Sequence, residues 1–131
     1  MYIVKATGAY NMMPASDIRS RLVCAVNCSD IRTPEKMKTF NCFFDTGSPA
    51  TYINQRFITE LALTPLENGI YILNISLPNN PPISPHPCYE WKKQNFPPSI
   101  DMLIGMDIIS KGHFIIAPCA INSSSSFELL I

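Results

Sequence analysis

The chain has 131 residues, 47% of them apolar and 15% charged, which suits one domain with a packed core and excludes global disorder. Ten basic residues balance ten acidic ones, so there is no electrostatic footprint for nucleic acid or an anionic membrane surface, and no apolar run approaches the roughly 20 residues of a spanning helix. Twelve prolines against five glycines disfavour a helix bundle and point to a β-rich fold with fixed turns.

The first twenty residues show little periodicity, and Asn11-Met12-Met13-Pro14 reads as a loop. Leu22, Cys24 and Val26 then alternate with Val23, Ala25 and Asn27, the pattern of a strand with one face more buried. Ser29 to Lys38 is polar and contains Pro34, so it reads as a hairpin connection. Thr39 to Phe44 is the aromatic-rich returning strand, and Asp45-Thr46-Gly47-Ser48-Pro49 follows as a turn. Asn54 caps a predicted short helix through Leu61, with Phe57, Ile58, Leu61 and Ala62 on one face and Pro65 just past its end. From Ile70 to Leu77 the alternation puts Tyr71, Leu73, Ile75 and Leu77 on one face, and Ile70, Ile72, Asn74 and Ser76 on the other. Asn79-Asn80-Pro81-Pro82 reads as a turn, and the segment through Pro87 as irregular or an edge strand. Ile100 to Ile104 is a short strand, Met106 to Lys111 a short helix stopped by Gly112, and His113 to Ala117 another strand. Asn122 to Ser126 reads as a flexible polar turn before a last strand at Phe127 to Ile131. With no internal repeat and no dividing linker, residues 1–131 read as one domain.

The five cysteines are Cys24, Cys28, Cys42, Cys88 and Cys119. The opening Met1-Tyr2-Ile3-Val4-Lys5 lacks the basic-then-apolar order of an export signal. Reduced thiols in a reducing, cytoplasmic setting are therefore expected, acting as small core hydrophobes. A zinc set of His86, Cys88, His113 and Cys119 is the alternative, but the paired C-x-x-C spacing of such sites is absent, so neither metal nor cofactor is expected. Tyr89, Trp91 and Phe96 lie among prolines, which suits aromatics that pin a loop to the core.

One local sequence carries catalytic weight. Asp45-Thr46-Gly47 stands directly behind an apolar strand and is followed by Ser48, a hydrophobic stretch and a short helix. Sixty residues on, Met102-Leu103-Ile104-Gly105 is an apolar strand ending in Gly before a second helix. Phe43-Phe44-Asp45-Thr46-Gly47-Ser48 followed by Leu103-Ile104-Gly105-Met106-Asp107-Ile108-Ile109 resembles the retropepsin-like aspartic proteases, in their order and at about their spacing. The likeness runs from about Arg21 to Ala117, and Gly112-x-Phe114 extends it toward the bacterial group.

This resemblance implies a mainly β, closed-barrel fold with one or two short helices, active as a homodimer. It implies an aspartic endopeptidase acting on a peptide or protein substrate, with no nucleic-acid or membrane partner. Hydrolysis by carboxylates needs two of them sharing a proton, and this chain has a single Asp-Thr-Gly, so two copies must each supply one Asp45. By the same resemblance Thr46 holds the two turns together across the axis, and Gly47 gives backbone room and an N–H to the carboxylate. Ile104 and Gly105 support the loop from below, and Ser48 adds a hydrogen bond. Asp107 is read as a charge in the first turn of its helix. Terminal segments around Met1 to Val4 and Phe127 to Ile131 are expected at the interface. The family's glycine-rich flap falls between the first helix and the next long strand, where this chain has only Thr64 to Gly69. A truncated or missing flap is therefore expected, with the hairpin around Asn79-Asn80 as the remaining candidate lid. A flap-deficient, non-catalytic dimerisation or peptide-binding module is the alternative function.

Overall fold

The computed structural model describes residues 3–9, 23–77, 82–93, 96, 99–118 and 124–130. In chain order these form β1 (Ile3–Ala9), β2 (Val23–Asp30), β3 (Lys38–Phe44), β4 (Tyr52–Ile53), α1 (Gln55–Glu60), β5 (Ile70–Ser76), β6 (Ile83–Glu90), β7 (Met102–Ile104), α2 (Met106–Ile109), β8 (His113–Pro118) and β9 (Ser124–Leu130). Six strands close into a barrel in the order β2-β3-β7-β4-β6-β5, and β1-β9-β8 make a separate three-stranded sheet. The expected closed barrel with short helices is present. No helix among the described residues is long and apolar enough to cross a membrane.

The barrel interior is filled by the inward residues of alternating strands. Val26 and Cys28 on β2, Phe40, Cys42 and Phe44 on β3, and Leu73 and Ile75 on β5 are all buried, as their period of two requires. Phe57 of α1 closes one side, its ring stacked on Phe40 at 4.0 Å between centroids. Asn54 caps α1, its side chain accepting from the Phe57 N–H at 2.9 Å. The helix ends in a backbone reversal at Ala62, where φ is +49°. Leu63 N–H donates to Ile58 C=O and Ala62 N–H to Thr59 C=O, the paired bonds of a Schellman stop. Ala62 is therefore exposed, and Leu63 takes the buried place expected of it. A left-handed backbone is costly for a residue with a Cβ. Ala62→Gly is expected to stabilise the fold by about 0.5–1 kcal/mol, read as a raised urea midpoint; an unchanged or lowered midpoint counts against this account.

Asn74 keeps the face opposite Leu73 and Ile75, beside its pairing partner Ser29 on β2, and is nevertheless buried. It donates to Ser29 Oγ at 3.1 Å and accepts from the Ser84 hydroxyl, so a buried amide is satisfied. The register shift between Leu73 and Ile75 puts the extra residue on β6. Two local expectations are corrected. The segment through Pro87 is a full barrel strand, β6, not an edge or irregular piece. Tyr89 and Trp91 donate their N–H groups toward β4. Pro85 and Pro87 have the same parity, so their nitrogens face that side beyond the end of β4, where no ladder bond is lost. Ser124 to Ser126 are not a turn but the start of β9, paired with Ala9 to Thr7. The loop at Asn11 to Pro14 and the tip at residues 78–81 lie outside the described residues.

The β2–β3 connection is fastened by Asp30. Its Oδ1 accepts from the Arg32 N–H at 2.9 Å and Nε at 3.0 Å, and its Oδ2 from Nη2 at 2.7 Å. Nη2 also donates to the Thr64 carbonyl at 3.0 Å, tying the connection to the segment after α1. The guanidinium holds the Asp30 carboxyl below its ordinary value of 3.8. A depressed carboxylate contributes stability that is fully present above the unfolded value and lost as pH falls through the folded one. Arg32→Met is therefore expected to lower the urea midpoint more at pH 7 than near about pH 2, where only the Thr64 bond is lost. An equal loss at both pH values would contradict the pairing.

Candidate active site

Parallel pairing of β3 with β7 brings the two sequence motifs side by side, with Phe44 opposite Ile104. Asp45 follows directly, its N–H donating to the Ile104 carbonyl at 2.9 Å. The Asp45 Oδ1 accepts from the Gly47 N–H at 2.8 Å, and the Asp45 carbonyl from the Ser48 N–H at 3.1 Å. These bonds fold Asp45 to Ser48 into a tight turn that presents the carboxylate at the barrel's end. Thr46 and Gly47 are exposed at its tip, Asp45 is half-buried, and Ser48 is buried. The Ser48 hydroxyl donates to the Ala50 carbonyl at 2.7 Å.

Beneath the turn, Gly105 is in contact with backbone. A Cβ there would stand 2.2 Å from the Ala50 carbonyl oxygen and 2.7 Å from that of Ser48. Met106 N–H donates to the Ser48 carbonyl at 2.7 Å. The start of α2 thus presses on the loop that carries Asp45.

Asp107 lies in the first turn of α2, but its carboxylate is directed at neighbouring elements as well as at the helix. Oδ2 accepts from the Thr51 N–H at 3.0 Å and lies 2.9 Å from His86 Nε2. Oδ1 accepts from the Thr51 hydroxyl at 2.8 Å and from the Ile108 N–H at 3.0 Å. Thr51 Oγ1 in turn accepts from the Gly105 N–H at 3.3 Å. Thr51 and His86 are the residues that sequence reasoning missed as parts of this loop's support. His86 is separated from Asp107 by twenty-one positions, and only the pairing of β4 with both β6 and β7 brings the two together.

His86 and Cys88 both point inward on β6, yet His86 is engaged by Asp107 rather than by other ligand side chains. Cys119 lies outside the described residues, as does the side chain of His113. Among the described residues no three metal-ligating side chains converge. Cys24, Cys28, Cys42 and Cys88 are free thiols. Burial pushes the Cys24 thiol up to about 12 and those of Cys28, Cys42 and Cys88 up as well, so they pack as hydrophobes rather than react as nucleophiles. Tyr52 meets Tyr89 at 6.1 Å and Trp91 edge-on at 5.1 Å, and Trp91 meets Phe96 at 5.8 Å. This ladder fastens the segment after β6 to the strand that leaves the Asp45 loop.

No protein-family model and no curated protein matches the sequence. Solved structures do. A retropepsin-like aspartic protease from Rickettsia conorii aligns over 97% of this chain and 91% of its own, at 11% identity and a TM-score of 0.56. The retroviral protease-like domain of Ddi1 from Leishmania major aligns over 70% of this chain and 74% of its own, at 17% identity and a TM-score of 0.43. The chain has the retropepsin-like fold. At 11% identity the likeness speaks for the fold alone, and the chemistry must be argued from the residues. Between α1 and β5, residues 61–69 hold the Schellman stop and a tight turn in which Gly69 N–H donates to the Leu66 carbonyl. No strand hairpin stands there.

Proposed function

We propose that the protein is an aspartic endopeptidase, active as a homodimer, in which Asp45 of each copy forms one half of a carboxylate pair. The reading rests chiefly on the Asp45 turn, where a half-buried carboxylate is oriented by the Gly47 N–H on a loop braced from three sides. The exposure of Thr46 and Gly47 at the tip leaves them free to meet a second copy.

The two carboxylates share one proton, because like charges this close resist double ionisation. The ionised member takes a proton from a water whose oxygen attacks the peptide carbonyl carbon. The protonated member gives its proton to the carbonyl oxygen, forming a gem-diol. Collapse breaks the C–N bond: the proton held by the pair passes to the leaving nitrogen, the other carboxylate takes a hydroxyl proton from the gem-diol, and the pair again holds one proton. Products are one carboxylate and one amine. The substrate binds extended, as an added strand, with pockets for alternate side chains. The four free thiols support a reducing, cytoplasmic setting.

The lack of a strand hairpin between α1 and β5 favours a second reading, a non-catalytic dimerisation or peptide-binding module. A flap excludes water and positions the peptide, and its loss removes both services. Incubation with a mixed peptide library from about pH 4 to 7 separates the two. Cleavage by the wild type that Asp45→Asn abolishes supports the peptidase. Peptide capture without cleavage by a dimeric protein supports the binding module.

A further inference from the structure

His86 is a buried titratable side chain, 4% exposed, that the reaction above does not use. With Asp107 acting as an acceptor, Nε2 of His86 is the donor, and it is one of four donors that converge on that carboxylate. A carboxylate offers about four lone-pair directions, so the set is complete. The other three donors belong to Thr51 and Ile108. Of these, Ile108 lies on α2 beside Asp107, and Thr51 is the end of the loop being held. Among the described residues, only His86 ties the carboxylate to a separate barrel strand.

We propose that His86 is a positioning residue for the Asp45 turn, acting through Asp107 on Thr51; this rests on the reading of Asp45 as the catalytic carboxylate. The loop is pinned at its start by Asp45 N–H to the Ile104 carbonyl, in its middle by Met106 N–H to the Ser48 carbonyl, and at its end by Asp107 to Thr51. The last pin is as rigid as the Asp107 rotamer. His86 fixes that rotamer from the barrel wall. Its removal leaves one lone pair of a largely buried carboxylate unmatched and lets the side chain swing. The far end of the loop then loosens, and a displacement well under 1 Å at Asp45 suffices to slow the reaction.

The test compares His86→Leu with His86→Gln, whose amide Nε2 can donate to Asp107 as the imidazole does. In His86→Leu, kcat is expected to fall about 10-fold or more with KM little changed, and His86→Gln is expected to recover most of it. Amide exchange is read in parallel on the full-length protein. Gly47, Ser48 and Thr51 are expected to exchange roughly 10-fold faster in His86→Leu, while the β2–β3 ladder keeps its protection. Unchanged kcat and unchanged loop exchange in His86→Leu would overturn the proposal. So would faster exchange spread evenly over loop and ladder, which marks a general loss of stability. If the wild type shows no turnover, or turnover that survives Asp45→Asn, the catalytic reading falls, and the loop-exchange comparison still decides whether His86 holds the turn.

Discussion

Asp45→Asn is expected to lower turnover by at least about 10³-fold while leaving the fold and the dimer intact. The reason lies in what the substitution keeps. Asn presents a carbonyl oxygen where Asp45 Oδ1 accepts from the Gly47 N–H at 2.8 Å, so the turn retains its bond. What Asn lacks is ionisation. It neither takes a proton from water nor holds one for the carbonyl oxygen, and in a homodimer both members of the pair are lost together. Peptide binding by the proposed strand addition is expected to persist. Circular dichroism and dimer mass identical to wild type, with cleavage gone, is the expected result. Cleavage that persists in Asp45→Asn would remove this residue from the chemistry.

Gly105→Ala acts on stability and site together, and by a different route. Gly105 has φ −99°, a conformation open to any residue, so its constraint is space and not backbone freedom. The added Cβ meets the Ala50 carbonyl oxygen at 2.2 Å and its carbon at 2.7 Å, and these are backbone atoms with no rotamer to change. Either α2 or the Asp45 loop must move. Overpacking against backbone costs about 2–4 kcal/mol, and the movement breaks the Met106 to Ser48 bond. A lower urea midpoint together with loss of activity is expected. Gly69→Ala provides the contrast: its Cβ meets open space, but its φ of +75° makes any side chain strained. It should cost about 1 kcal/mol and leave the site untouched. Gly105→Ala with wild-type stability would show that α2 does not press on the Asp45 loop.

Much of the fold was legible because its signals are local. Alternation over Tyr71, Leu73, Ile75 and Leu77 marks an inward face directly, and those four side chains are buried. Asn54 announces the start of α1 and caps it. The two motif segments could be paired on the page because each is contiguous, and their parallel register joins Phe44 to Ile104. What the sequence concealed depends on partners distant along the chain. The prolines of β6 look like strand breakers until the short reach of β4 shows that their nitrogens face no ladder. Asn74 has the outward parity, and its burial there comes only with Ser29 and Ser84 of the neighbouring strands. Asp107 was read as a helix-terminal charge, a reading that accounts for its position but not for the Thr51 and His86 bonds that direct its carboxylate. Two of the three members of that network carried no local motif. His86 entered the sequence reading only as a member of the less favoured zinc set, in a segment read as irregular or an edge strand.

The central claim is that two copies each contribute one Asp45 to a single reaction centre. Mixing wild type with Asp45→Asn at equal concentrations, under conditions where protomers exchange, measures it most directly. Random pairing leaves about one quarter of the dimers with both carboxylates, so activity per total protein is expected to fall to about a quarter of the unmixed wild type. A fall to one half, the simple dilution, would mean that each copy acts alone and would contradict the shared pair.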